Sequence, residues 1–199
     1  MSHFLTLSSA SRRPALRTLA FAVAGAALIA LSARIQVPFW PVPMTLHTLA
    51  VMALAVGAGP RIATAAFVAY LAAGAVGLPV FSGSPERGIG LAYMVGPTGG
   101  YLAGYLAASW ITGTLAQGGG TGWGRTLRHV AGMLAGLAVI YAAGLAWLAV
   151  YVPADNLIAL GFAPFIAGDL VKIAVVAIGA HGVQAYLASS AAKQAGRGE

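Results

Sequence analysis

The 199-residue chain contains no cysteine, which removes disulfide frameworks, thiol nucleophiles and cysteine-ligated metal sites together. Charge is also scarce. Asp, Glu, Lys and Arg make up 8% of the residues, against about 25% in soluble domains, too few to clothe a water-soluble surface. Only 4 residues are acidic, so paired carboxylates for acid–base chemistry have almost nothing to draw on. A phosphate-cradling glycine loop ending in lysine is missing, because neither Lys172 nor Lys193 follows a glycine; the chain has no evident means of using ATP by itself. His47, His129 and His181 fall at different depths, with no His-x3-His or His/carboxylate spacing, so no metal site and no cofactor are expected.

What is present is overwhelmingly apolar: 59% of residues are hydrophobic and the mean hydropathy is +0.85. A bilayer core of about 30 Å asks for roughly 17–25 apolar residues per helix. Six blocks bounded by charge or by Pro and Gly come near that length, at residues 17–33, 44–58, 61–78, 99–117, 129–152 and 164–188. The expected fold is therefore an all-α integral membrane protein, a six-transmembrane-helix bundle. It forms one domain over 16–190, with a flexible tail at 1–15 and a C-terminal tail at 191–199. The apolar run behind Arg12, Arg13 and Arg17 has the outline of a signal peptide, but equally apolar segments follow it, and it is read as a retained first span.

The net charge of +7 does not point to nucleic acid, which requires basic residues clustered with polar and aromatic neighbours on one element. Here they stand between apolar blocks, where they meet anionic lipid. With six crossings, Arg12, Arg13, Arg17, Arg61, Arg125, Arg128, Lys193 and Arg197 fall on one side and only Arg34 and Arg87 on the other. The positive-inside rule then places both termini in the cytoplasm. Small residues recur at four-residue spacing in Ala22, Ala26 and Ala30, in Gly100, Gly104 and Ala108, and in Gly132 and Gly136. Such stripes let helix backbones approach closely. On the later helices they serve internal packing; on the first, packing and a partner membrane protein both remain open. The run 118–124 reads as a flexible cytoplasmic loop.

Ionised groups inside a span are costly unless paired or wetted. Asp169 and Lys172, three apart, share one face of the last helix and lie one to two turns below the outer surface. They form either a ligand site or a salt bridge that fixes packing, and the first explains them better, since a buried ion pair seldom outperforms an apolar substitute of equal volume. The outer loop 81–88 holds Glu86 and Arg87 and is either a lid or a solvated turn. Next comes Gly96-Pro97-Thr98-Gly99-Gly100, a helix break at membrane depth, which persists only where it lines a cavity or is buried in protein. Tyr93, Tyr101 and Tyr105 near it supply cavity walls with hydroxyls, an interfacial aromatic belt being the alternative for Tyr93 and Tyr101. His47, one turn into the second helix behind three prolines, contacts either ligand or backbone.

Four strings now stand in order: Trp40-Pro-Val-Pro-Met-Thr-Leu46, Gly77-Leu-Pro-Val-Phe81, Gly96-Pro-Thr-Gly-Gly-Tyr-Leu102 and Pro164-Phe-Ile-Ala-Gly-Asp-Leu-Val-Lys172. Together they resemble the BioY family, the biotin-specific substrate-binding (S) components of energy-coupling factor (ECF) transporters. The resemblance implies a six-helix S-component fold in the cell membrane that captures biotin from outside. It also implies a transmembrane coupling subunit and two ATPase subunits as partners, with Ala22, Ala26 and Ala30 spaced to dock the coupling subunit. On that reading Asp169 takes the ureido N–H groups of biotin, Lys172 helped by Arg87 takes its carboxylate, and Phe81, Tyr93 and Tyr101 enclose its apolar body. The opposite polarity, with Lys172 on the ureido carbonyl, stands as the alternative. An S component for another vitamin or small acid is the competing transport reading. An intramembrane enzyme is disfavoured, because Asp169 is the only acid within a span.

Overall fold

The computed structural model describes residues 12–37, 41–42 and 44–195. Its elements are α1 (Arg12–Arg34), β1 (Gln36–Val37), β2 (Met44–Thr45), α2 (His47–Ala75), α3 (Gly90–Met94), α4 (Gly99–Ala116), α5 (Gly122–Leu148), α6 (Ala154–Gly161) and α7 (Ala163–Ala195). Apart from the two-residue antiparallel ladder, which pairs Gln36 with Thr45 and Val37 with Met44, the described elements are helical. Four helical stretches are long and apolar enough to cross a bilayer: Leu16–Arg34, His47–Ala75, Gly122–Leu148 and Ala154–Ser190.

One of these stretches doubles back. Inside α2, Gly59 adopts φ 82° and ψ 174°, and Pro60 follows. Glycine tolerates the positive φ, and proline can open a helix but cannot continue one. The His47 ring consequently lies 5.7 Å from Phe67 and 5.1 Å from Tyr70, whereas a straight helix would separate positions 47 and 70 by about 35 Å. Residues 47–58 and 60–75 are therefore two antiparallel arms, which accounts for the separate apolar blocks in the sequence.

Helices α4 and α5 meet almost backbone to backbone. A Cβ added to Gly104 would sit 2.7 Å from Ile140 Cα, and one added to Gly113 would sit 2.6 Å from Pro60 Cα, so α4 is clamped between α5 and the α2 turn. Thr112, fully buried at their centre, donates 3.0 Å to the Gly132 carbonyl.

Several expected boundaries move. Helix α1 starts at Arg12, within the stretch read as a tail, with Pro14 in the first turn where its missing N–H costs nothing. Residues 1–11 and 196–199 of the expected tails lie outside the described residues, as do Pro38, Phe39, Trp40 and Pro43. Helix α7 runs on to Ala195. Helix α5 starts at Gly122 and takes over the end of the presumed loop 118–124. Its first turn gains tertiary support from His181, on which Trp123 stacks at 5.0 Å and whose Nδ1 lies 2.8 Å from the Thr126 hydroxyl.

The alanine stripe of α1 lies partly inside the bundle. Ala22 is buried, and Ala26 and Ala30 pack against the cluster formed by Phe67, Tyr70 and Phe81. A Cβ on the neighbouring Gly25 would come within 2.7 Å of Ala66. Those small residues bring α1 close to α2, with Ala26 and Ala30 left partly exposed. The small residues that α1 leaves open lie on its other side, at Ala20, Ala24 and Ala27.

Candidate functional site

Near one end of the bundle, α2, α4, α5 and α7 surround a narrow cavity of about 50 Å³. Helix α7 places Asp169 and Lys172 on the cavity wall. Lys172 Nζ donates to Asp169 Oδ1 at 2.9 Å and to the Thr45 carbonyl at 2.6 Å. Tyr141 donates its hydroxyl to Asp169 Oδ2 at 2.7 Å. Asp169 is only 5% exposed, and each of its oxygens has a donor, which is the condition under which a carboxylate tolerates burial. The pair thus sits at the junction of three elements and reports the position of α7 against α5 and β2.

The aromatic wall is built from both arms of α2 and from α4. The His47 ring stacks on Tyr105 at 4.7 Å and 21°, and Tyr105 shares a 2.6 Å hydrogen bond with Thr48. His47 is buried, yet its Nε2 has no hydrogen-bond partner among the described residues. Such an atom is expensive to leave unmade and cheap for a ligand to satisfy. Tyr101 lines the cavity with its ring while its hydroxyl donates to the Gly161 carbonyl at 2.6 Å. Tyr93, just outside the long helices, stacks on Phe81 at 4.7 Å and 12°. Burial pushes the Tyr93 phenol above its ordinary range, while a bond with Thr98 and the charge of Arg87 pull the other way.

The residues singled out from sequence thus separate into groups. Asp169, Lys172, His47, Tyr93, Tyr101 and Thr98 line one cavity. Phe81 does not reach it: fully buried behind Tyr93 and Tyr70, it holds those rings in place. Arg87 lies in an adjoining recess of about 300 Å³ with Glu86, Gly96 and Pro97, which shares Tyr93 and Thr98 as walls with the first cavity; its Nη1 donates to the Pro41 carbonyl at 3.1 Å. The helix break is secured from α5, since Trp147 Nε1 donates to the Gly96 carbonyl at 2.9 Å. A side chain on Gly100 would collide with the Ala143 carbonyl at 2.5 Å.

Sequence reasoning missed Tyr141 and Thr45. For Tyr141 a signal existed: a phenol in the middle of an apolar helix must find a hydrogen-bond partner, and Asp169 was the only acid available to it. Among the described residues no group of three His, Asp or Glu could hold a metal ion.

The chain is similar to known proteins along most of its length. A profile of the BioY family matches residues 5–189. The biotin transporter BioY of Thermotoga maritima is 38% identical over 154 residues, covering 76% of this chain and 86% of that protein. The probable biotin transporter BioY of Pyrococcus horikoshii is 37% identical over 158 residues, covering 79% and 90%. In the crystal structure of the S-component for biotin from an ECF-type ABC transporter, the fold superposes with a TM-score of 0.69 at 23% identity, over 88% of this chain and 93% of that one. Long apolar helices, a charged pair sunk among aromatic rings and similarity along most of the sequence agree in making the chain a multi-pass membrane protein of the BioY family.

Proposed function

We propose that the protein is the biotin-capturing subunit of an ECF-type transporter in the cell membrane. The observation that carries this reading is the Asp169–Lys172 pair, 2.9 Å apart on the cavity wall, with a recess beside it that Arg87 and Glu86 line. Biotin offers a ureido ring with two N–H donors and a carbonyl, an apolar thioether body and a carboxylate. Asp169 accepts from the ureido N–H groups. Lys172, held against Asp169, donates to the same head at its carbonyl, and the recess around Arg87 receives the carboxylate. This orientation departs from the first assignment from sequence, because the ammonium is tied to Asp169 and to Thr45 while Arg87 stands in the neighbouring chamber. Tyr93 and Tyr101 flank the apolar body, and the unpartnered Nε2 of His47 takes a polar atom of the ligand.

Two arms from α2, with α1, α4, α5 and α7, supply six crossings, and the positive-inside distribution sets both termini in the cytoplasm. The sequence carries no ATP-binding loop, so energy comes from partners, a transmembrane coupling subunit and two ATPases. Docking of the coupling subunit falls on the open small-residue side of α1 at Ala20 and Ala24, where backbones can approach closely.

Calorimetric titration of the purified protein with biotin and with biotinamide tests the ligand and its orientation. Arg87→Ala is expected to weaken biotin and leave biotinamide unchanged, while Lys172→Ala weakens both alike. Biotin binding unaltered by Asp169→Ala together with Lys172→Ala would sink the reading.

A further inference from the structure

The same four elements that hold the outer cavity enclose a second one toward the opposite end of the bundle, with a volume of about 660 Å³. It lies between the first arm of α2, the end of α4, the start of α5 and the second half of α7. Two features of its wall differ in kind. Along α7 the lining runs from Val176 through Gly179 and Val183 to Leu187, an apolar strip of about 16 Å at 1.5 Å per residue. At its basic end stand Arg125 and His129. His129 is only 4% exposed, and its Nδ1 has no hydrogen-bond partner among the described residues. No described lining residue is acidic, and Asp155 and Asp169 belong to α6 and the first turns of α7.

A long apolar strip ending in a guanidinium and an unsatisfied imidazole matches an amphiphile with an anionic head. A free inorganic anion would gain nothing from the strip, and a zwitterionic lipid would gain less from the basic end. The geometry points to a binding site for one anionic phospholipid of the inner leaflet, with an acyl chain along α7 and its phosphate at Arg125 and His129. Basic pockets between helices on the cytoplasmic side are suited to such headgroups, and the acyl chain adds to the affinity with each methylene it buries. The site is independent of the biotin cavity.

The full chain, purified in detergent, is titrated with dioleoyl phosphatidylglycerol or dioleoyl phosphatidylcholine, and retained lipid is counted by native mass spectrometry. Phosphatidylglycerol is expected to be held as a single copy at lower concentration than phosphatidylcholine, and excess inorganic phosphate is expected not to displace it. Gly57 of α2 and Gly179 of α7 both line the cavity, and a Cβ on either meets no described atom within 4 Å. Gly57→Leu and Gly179→Leu therefore start a side chain into open space from two different helices, and each is expected to reduce retention about tenfold, the loss of one charge-assisted contact or its apolar equivalent. Arg125→Gln should erase the preference between the two lipids. Equal retention of both lipids by the unmodified chain overturns the proposal, as does phosphatidylglycerol retention unchanged in both leucine variants with elution and melting like the parent.

Discussion

Helices α4 and α5 meet through glycines that leave no room for a methyl group, whereas the glycines of α7 face open space. A Cβ on Gly104 would come within 2.7 Å of the Ile140 backbone, and a Cβ on Gly100 within 2.5 Å of the Ala143 carbonyl; on Gly168, Gly179 or Gly182 of α7 it would meet no described atom within 4 Å. The first pair is a rigid frame that fixes Tyr101, Tyr105 and Tyr141. Helix α7, which carries the charged pair, is held at the cavity by polar contacts instead, from Asp169 to Tyr141 and from Lys172 to Thr45. Without a hydrophobic effect to press helices together in lipid, close packing and hydrogen bonds are the available forces. The α4–α5 pair leans on close packing around the Thr112–Gly132 bond, whereas α7 adds its polar contacts to a few buried apolar side chains such as Phe165 and Ile173. A ligand that enters between Asp169 and Lys172 can therefore adjust α7 without disturbing α4 and α5.

The contrast breaks most visibly at the polar latch. Asp169→Ala leaves the Lys172 ammonium in place without its carboxylate, and removal of one member of a buried pair costs about 3–5 kcal/mol. Biotin affinity should fall beyond measurement and the melting temperature should drop, both read on the same sample. Asp169→Asn, which keeps an acceptor for Tyr141, should restore melting more than binding. Next in size, Gly104→Leu drives a side chain into the Ile140 backbone and should cost about 3 kcal/mol by overpacking, seen as loss of monodisperse protein on gel filtration. If that variant folded and bound biotin normally, the α4–α5 frame would be less rigid than described. Tyr141→Phe removes one hydrogen bond to a charged group and leaves the ring in place. It should cost about 2 kcal/mol and, on the proposed reading, weaken biotin more than it lowers melting, because the carboxylate it orients lines the cavity.

How much of this could be read from residues alone follows from the same contrast. The pairing of Asp169 with Lys172 was legible because spacing of three on a helix is a local fact and charge in an apolar span is conspicuous. The glycine contacts of α4 with α5 were legible for a similar reason, as a four-residue rhythm within each helix. The positions of Arg87, in the neighbouring recess, and of Phe81, behind the aromatic wall, were not legible, since the route of an irregular loop depends on partners distant in sequence, such as Pro41 for Arg87 and Tyr70 for Phe81. The stripe Ala22, Ala26 and Ala30 kept two roles open, packing and docking, for yet another reason. Almost every position on α1 is small or apolar, so composition could not tell the side facing α2 from the side facing outward. The turn at Gly59 and Pro60 was visible only as a boundary between apolar blocks; its reversal emerged from His47 resting against Tyr70.

The smallest effect gives the sharpest test, because one substitution should act with opposite signs in the two regions. Alanine is preferred over glycine in a helix interior by about 0.5–1 kcal/mol, chiefly through the entropy of the unfolded chain. At Gly168 the added methyl meets no described atom within 4 Å, so Gly168→Ala should realise that gain and raise the melting temperature of the ligand-free protein by a few degrees. At Gly100 the same methyl meets the Ala143 carbonyl at 2.5 Å, and the clash should outweigh the gain, lowering melting. Differential scanning fluorimetry of the two variants beside the parent decides the matter within one experiment. Were Gly168→Ala to destabilise the ligand-free protein as Gly100→Ala does, α7 would have to pack as tightly as α4 and α5. Its polar latch would then be redundant for holding the helix, and a ligand could not move it without straining the frame.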